Sequence, residues 1–352
     1  MWMRCPTASR LMVVLVLTGA EAAADLPTLD IHPDFPSLRV NPLRIEGPLA
    51  PAGTTGVTVL DRSLTLNNQI LPAGTLLSSF GTVNGGAGNR IYAIDPNTGE
   101  VLPDLSINYG PASANGRPDA GLLLFDNDRY LSFQFGPVGI NLGRFEPDAP
   151  GRLLDTELLP GEQFSNGGGM GLLDEDTLYV TSWREHALYT VDFSIDGDDL
   201  SLTNLQLVNP FLPGLGPDGV AVIPANAAGE LANFAGNLVI ARFGGSVDGF
   251  VDIFSPQGVG LRRIATYRKN DRIGFIGPDG VAFGPDGSLF ISDFDQTIFK
   301  VTAIPEPATL ILLVLGAALS PWRRARGTFL PQRSQRVQRR LLESASLLPQ
   351  AQ

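Results

Sequence analysis

GPDGVAFGPDGSLFISDFDQTIFKV, running from Gly277 to Val301, decides the architecture. Gly-Pro-Asp-Gly reads as a turn that starts an inner strand, and Val281, Ala282 and Phe283 follow it as interior residues. A second Pro-Asp-Gly, Pro285 to Gly287, fits a tight hairpin, after which SLFISDF and TIFKV read as a second and a third strand. The plan recurs upstream. GPDGVAVIP begins at Gly216 and, after an insertion of roughly ten residues, continues as NLVIARFGGSVDGFVDIF. RPDAGLLLFDNDRYLSF (117–133) and GGMGLLDEDTLYVTSWREHALYTVDF (168–193) follow it more loosely. NRIYAIDPNTGEVLPDL, from Asn89, keeps only the outer half.

Asp119, Gly168, Asp218 and Asp279, which start the four better units, stand 49, 50 and 61 residues apart. A four-stranded propeller blade takes about 40–50 residues, so the spacing is a propeller period with one insertion. The expected fold is therefore all-β, a β-propeller of six blades with seven or five as alternatives. Ring closure needs a strand from the other end of the chain, and Ser37–Ile45 (SLRVNPLRI) is placed as the fourth strand of the last blade. Val220, Val222, Val281 and Phe283 are expected between blades.

The ends of the chain carry other signals. Arg4 and Arg10 precede the apolar run Leu11–Ala20, and Ala22, Ala23 and Ala24 supply small residues before Asp25. This is the build of a secretory signal peptide, so residues 1–24 are set apart from the fold. Cys5, the one cysteine, goes with them, which excludes disulfides and thiolate chemistry from the remainder. Near the other end, Pro305, Glu306 and Pro307 precede the apolar segment 308–321 and then Arg323, Arg324 and Arg326. The apolar stretch is shorter than the roughly 20 residues that a stable span wants and suits a transient membrane anchor. The arginines would hold that end in the cytoplasm.

Motif, short helix and arginine cluster in this order resemble the PEP-CTERM sorting signal of exopolysaccharide-producing bacteria. The resemblance implies an exosortase-type membrane protease as partner and a destination at the cell envelope or extracellular surface. The expected division is signal peptide 1–24, propeller 25–303, sorting segment 304–326 and a basic tail 327–352. The tail's 26 residues depart from the family pattern, which ends soon after the arginines.

Between the signal peptide and the arginine cluster, residues 25–321 hold 16 Lys and Arg against 34 Asp and Glu, a formal charge of −18. Such a surface argues against nucleic acid and anionic lipid, and favours solubility and divalent cations. Asp119, Asp218 and Asp279, each before an inner strand, are expected on one rim of the channel, where they must be solvated or bridged by a cation. Oxygen ligands suit calcium rather than zinc. His32 and His186 offer no base with a nucleophile elbow of the G-x-S-x-G type, and neither glycine-rich run, 84–90 nor 166–171, opens a phosphate-binding helix.

The repeat itself resembles the NHL and gluconolactonase-type propeller repeats. In the gluconolactonase-type enzymes Glu, Asn and Asp from different blades hold one divalent cation near the hub. The positions this resemblance implies here are Glu46, Asn166, and Asp218 or Asp279. The main expectation from sequence is a non-catalytic binding or scaffold module for a polysaccharide or matrix component. The alternative is a divalent-metal-dependent lactonase-type hydrolase.

The sorting reading makes a direct prediction. In a host with the matching protease, mass spectrometry of the exported protein should find no peptide beyond the Pro305–Pro307 motif, and recovery of extracellular peptides from Arg333 onward would contradict it.

Overall fold

The computed structural model describes residues 27–46, 56–66, 69–79, 90–108, 120–125, 128–134, 139–145, 152–159, 167–210, 216–244, 248–269, 277–293 and 296–305. Residues 1–24, read above as a signal peptide, and Asp119, Asn166 and residues 306–352, which hold the expected sorting segment and basic tail, lie outside them. Among the described residues no helix is long and apolar enough to cross a membrane.

Antiparallel strands build five four-stranded blades. Blade I comprises Val57–Val59, Leu76–Ser79, Arg90–Ile94 and Val101–Asn108, with a short hairpin (Leu64–Leu66 and Gln69–Leu71) inserted after its inner strand. Blade II runs Ala120–Leu124, Arg129–Gln134, Gly139–Arg144 and Arg152–Leu158. Blade III runs Gly167–Leu172, Thr177–Ser182, Ala187–Asp196 and Asp199–Pro210. Blade IV runs Gly216–Val222, Leu238–Phe243, Gly249–Phe254 and Gly260–Arg268, with Thr28–Ile31 added to its outer edge. Blade V has only three strands of its own, Pro278–Phe283, Leu289–Asp293 and Thr297–Ala303, and Leu38–Arg44 pairs with the last of these to complete it. The N-terminal closing strand thus falls where the sequence placed it.

Five blades replace the expected six. The count from length assumed that the whole of 25–303 is spent at one period. Residues 28–44 instead add strands to blades IV and V, and the hairpin insertion lengthens blade I. The extra length between Asp218 and Asp279 is a 3-10 turn, Gly229–Phe234, set between the first two strands of blade IV.

The turns follow their sequence. Gly287 takes φ +78°, the conformation that glycine adopts without steric cost, and Asp286 accepts hydrogen bonds from the Ser288 amide at 3.0 Å and hydroxyl at 2.9 Å. Asp95 likewise accepts from the amides of Asn97 (2.7 Å) and Thr98 (3.1 Å) in the Asp-Pro-Asn-Thr-Gly turn. Gly-Pro-Asp-Gly behaves differently from expectation: it is no turn but the first stretch of the inner strand itself. The pairing register slips between Pro217 and Val220 and again between Pro278 and Val281, which is a β-bulge at Asp-Gly.

That bulge is the common element of the hub. Register slips fall at the same level in the inner strands of blades II, III, IV and V. At this level the backbones of neighbouring blades nearly touch. A Cβ on Gly56 would stand 2.9 Å from the carbonyl carbon of Gly121, one on Gly121 3.2 Å from the Cα of Gly169, and one on Gly169 2.6 Å from the Cα of Gly219. Gly219 in turn abuts Asp279, Gly280 and Val281. Hydroxyls from the second strands secure the bulges: the amides of Gly56, Gly169 and Gly280 donate to Ser79 Oγ (3.1 Å), Thr181 Oγ1 (2.7 Å) and Ser292 Oγ (2.9 Å).

Packing is between blades. Among the described residues, five buried apolar clusters each join one blade to the next: I to II, II to III, III to IV, IV to V, and V back to I. Val220 and Val281 are buried in these seams, and Val222 and Phe283 are half-buried at their margins.

A methyl group at Gly169 must push apart the backbones of blades III and IV. Gly169→Ala should therefore lower stability by about 1–3 kcal/mol, the usual cost of overpacking a close-packed interior. Thermal unfolding reads this directly, and an unchanged melting temperature would show that the hub glycines are not a packing requirement.

Candidate functional site

The residue before each hub glycine stands at the channel end of its inner strand. Aligned on the glycines, this position is Ala120 in blade II, Gly168 in blade III, Asp218 in blade IV and Asp279 in blade V. Only blades IV and V carry acids there, and these two come together. Asp119 was matched to them by sequence, but the bulge register makes Ala120 their counterpart, one residue later. Asp119 itself and Asn166 lie outside the described residues. Glu46 is not at the hub: it is exposed and bridges Glu100 beside the outermost strand of blade I.

Asp218 retains 7% of its surface and Asp279 3%, and their carboxyls hydrogen-bond one another. Two carboxylates cannot both ionise at such range inside a fold, so one proton stays with the pair. Burial pushes Asp218 up to about 7, against the lowering effect of the hydrogen bond from Asp279. Asp279 is raised well above the ordinary carboxyl range, by burial first, then by the negative charge and hydrogen bond of Asp218, and finally by the charge of Asp293. Both carboxyls are thus pushed towards the protonated form, and a proton held there belongs to the pair. Oδ2 of Asp279 is buried and receives no hydrogen bond from any donor.

Asp293, fully buried at the end of the second strand of blade V, is the neighbour that sequence reading missed. It accepts hydrogen bonds from Tyr267 Oη (3.0 Å), reaching across from blade IV, and from the Thr297 amide (3.0 Å). Tyr267 is held edge-on against Phe299, with ring centroids 5.9 Å apart. The available signal was an acid inside the otherwise apolar run SLFISDF, a position where a charge needs partners.

An orphaned carboxyl oxygen beside a second carboxyl is the type of donor that a hard cation takes. Among the described residues, however, no group of three or more His, Cys, Asp or Glu comes together to hold a metal. Calcium takes about 6–8 oxygens, so Asp218 and Asp279 do not by themselves form a centre for it. What the pair can do unaided is move a proton: one carboxyl is ready to give it and the other to accept one.

No protein-family model matches the chain, and no curated protein matches it. Solved structures do match. A protein assigned to the gluconolactonases is 14% identical, covers 78% of this chain and 98% of its own, and has a TM-score of 0.44. Virginiamycin B lyase from Staphylococcus aureus is 15% identical, covering 76% of this chain and 100% of its own, at a TM-score of 0.38. The soluble aldose sugar dehydrogenase of Escherichia coli is 12% identical, covering 75% and 100%, at 0.41. These are likenesses of fold. The hub holds two convergent buried carboxyls, which a mere scaffold does not need. The expectation of a non-catalytic binding module, which rested on the lack of such a set, is corrected accordingly.

Proposed function

We propose that the chain is a hydrolase of the lactonase type, with the proton shared by Asp218 and Asp279 as its acid–base device. The observation that carries this is the placement of two buried carboxyls at equivalent positions of adjacent inner strands, each pushed towards its protonated form by burial. The formal charge of −18 over residues 25–321 repels polyanions and favours a neutral substrate such as a cyclic ester. Ionised Asp218 takes a proton from water as the oxygen adds to the ester carbon. Asp279 gives its proton to the ring oxygen as the C–O bond breaks, leaving a hydroxy acid. The exchange leaves Asp218 protonated and Asp279 ionised, and the hydrogen bond between them returns the proton for the next turnover. Tyr267 and the Thr297 amide donate hydrogen bonds to Asp293 beside the pair, and its negative charge helps to raise Asp279. We further propose that this chemistry is done outside the cytoplasm, on the strength of residues 1–24 and the PEP-CTERM-like segment 304–326.

Hydrolysis of glucono-δ-lactone by the purified full chain tests the reading. Asp218→Asn and Asp279→Asn should each lower kcat/KM by about 100-fold or more, the usual worth of general acid–base catalysis. The rate should rise towards about pH 7 as Asp218 ionises and fall at higher pH as Asp279 loses its proton. Full activity in either variant would overturn the assignment, as would a rate abolished by chelator and restored by calcium.

The same proton bears on stability. Both carboxyls bind it more tightly folded than unfolded, so unfolding free energy should fall as pH rises from the ordinary aspartate range to about 7. The slope is at most about 1.4 kcal/mol per pH unit for each group. Denaturant titrations across that window should show this decline in the wild type and a shallower one in Asp279→Asn.

A further inference from the structure

A cleft of about 620 Å³ lies between blades III and IV, and neither of the paired aspartates lines it. Pro210, at the end of blade III, lines one side, and the face of blade IV that carries Arg242, Asp252 and Arg263 lines the other. The volume falls within the roughly 300–1,000 Å³ of pockets that enclose small molecules.

Its charge is the reverse of the protein's. The whole chain carries a net charge of −11, yet three guanidinium groups converge here on two carboxylates. Asp252, with a side chain only 10% exposed, sits between Arg242 Nη1 at 3.3 Å and Arg263 Nε at 2.9 Å. Arg262, half exposed at the mouth, lies 2.8 Å from Asp34. One positive charge is left over.

Setting two partly buried guanidinium groups against a single carboxylate is a costly way to close a seam, since the partial desolvation of the second cation goes uncompensated. Nε of Arg242 is buried with no acceptor at all. Arg263 is differently placed. Asp252 engages its Nε, and its guanidinium lies 3.3 Å above the centre of the Phe250 ring, which fixes its plane. Its two terminal amino groups then form a preorganised fork, the shape that matches a carboxylate. Around the fork, Thr266 offers a hydroxyl, while Pro210 and the 45%-exposed Leu261 offer apolar surface.

We propose that this cleft binds a small carboxylate-bearing molecule of sugar-acid size, its carboxylate on the Arg263 fork beside Arg242 and its ring against Pro210 and Leu261. A single surplus charge within an acidic surface suits a monoanion and repels a polyanion. The proposal does not depend on the chemistry of the hub.

Calorimetric titration of the full chain with D-glucuronate and with D-glucose tests it, since the two share a ring and differ in the carboxylate. Glucuronate should bind saturably with a Kd of about 1 mM or tighter, and glucose should give no saturable heat. Arg263→Lys keeps the charge beside Asp252 and removes the fork, and it should weaken glucuronate binding by about tenfold or more while melting at the wild-type temperature. Arg262→Ala, at the exposed mouth, should weaken it less. Equal binding of glucose and glucuronate, no saturable binding of glucuronate, or full affinity in Arg263→Lys would each overturn the proposal. Sulfate displacing glucuronate at equal concentration would do so too, because it would reduce the cleft to a site for any anion.

Discussion

The close approach of five inner strands around one axis is the constraint on which this structure depends. A ring of five is tight, and at one level its backbones come within van der Waals contact, so that a side chain there has nowhere to go. Glycine at that level, a bulge to turn the strand and a hydroxyl to satisfy the displaced amide form one solution, used with variations around the ring. Blade II lacks the hydroxyl and has Phe133 opposite its bulge, and there Gly121 takes φ +52°. Blade IV has Ala241 in the corresponding place.

The same crowding makes the candidate site. A residue next to the hub glycine cannot be large and cannot reach solvent freely, so an acid placed there is desolvated by the architecture rather than by a dedicated pocket. Where two adjacent blades both carry an acid, the geometry that packs the strands also presses the two carboxyls together. Chemistry and packing share a cause here. Ala120 and Gly168, at the same position in blades II and III, show the arrangement without the charge.

Much of this was legible in the chain, for identifiable reasons. Blades IV and V repeat Gly-Pro-Asp-Gly-Val-Ala, which gave away the period and the interior valines Val220 and Val281. Gly-Pro-Asp-Gly was mistaken for a turn because a proline followed by Asp-Gly suits a turn and a bulge equally well; only the partner strand tells them apart. The register of Asp119 was misjudged by one residue because Ala-Gly in blade II holds the place of Asp-Gly, and the aspartate was the more visible letter. Only the outer half of blade I was legible, because its inner strand, Val57–Val59, follows a glycine but lacks both proline and aspartate before it. The acid in SLFISDF was visible, but its partner was not, because Asp293 and Tyr267 belong to different blades and meet only when blades IV and V pack.

Blade V is completed by residues 38–44 pairing with residues 297–303, and blade IV takes Thr28–Ile31 on its rim. A ribosome makes those N-terminal strands first and their partners last. The opening segment of the propeller therefore waits, its backbone groups unpaired, through the synthesis of some 250 residues before its place exists. Ring closure is in this sense a clock: Leu38–Arg44 stays open to foreign strands until the last strand of the final blade has emerged. A chain truncated within that blade would leave its earliest strands as adhesive ends, which makes aggregation, more than loss of any single contact, the expected fate of incomplete product.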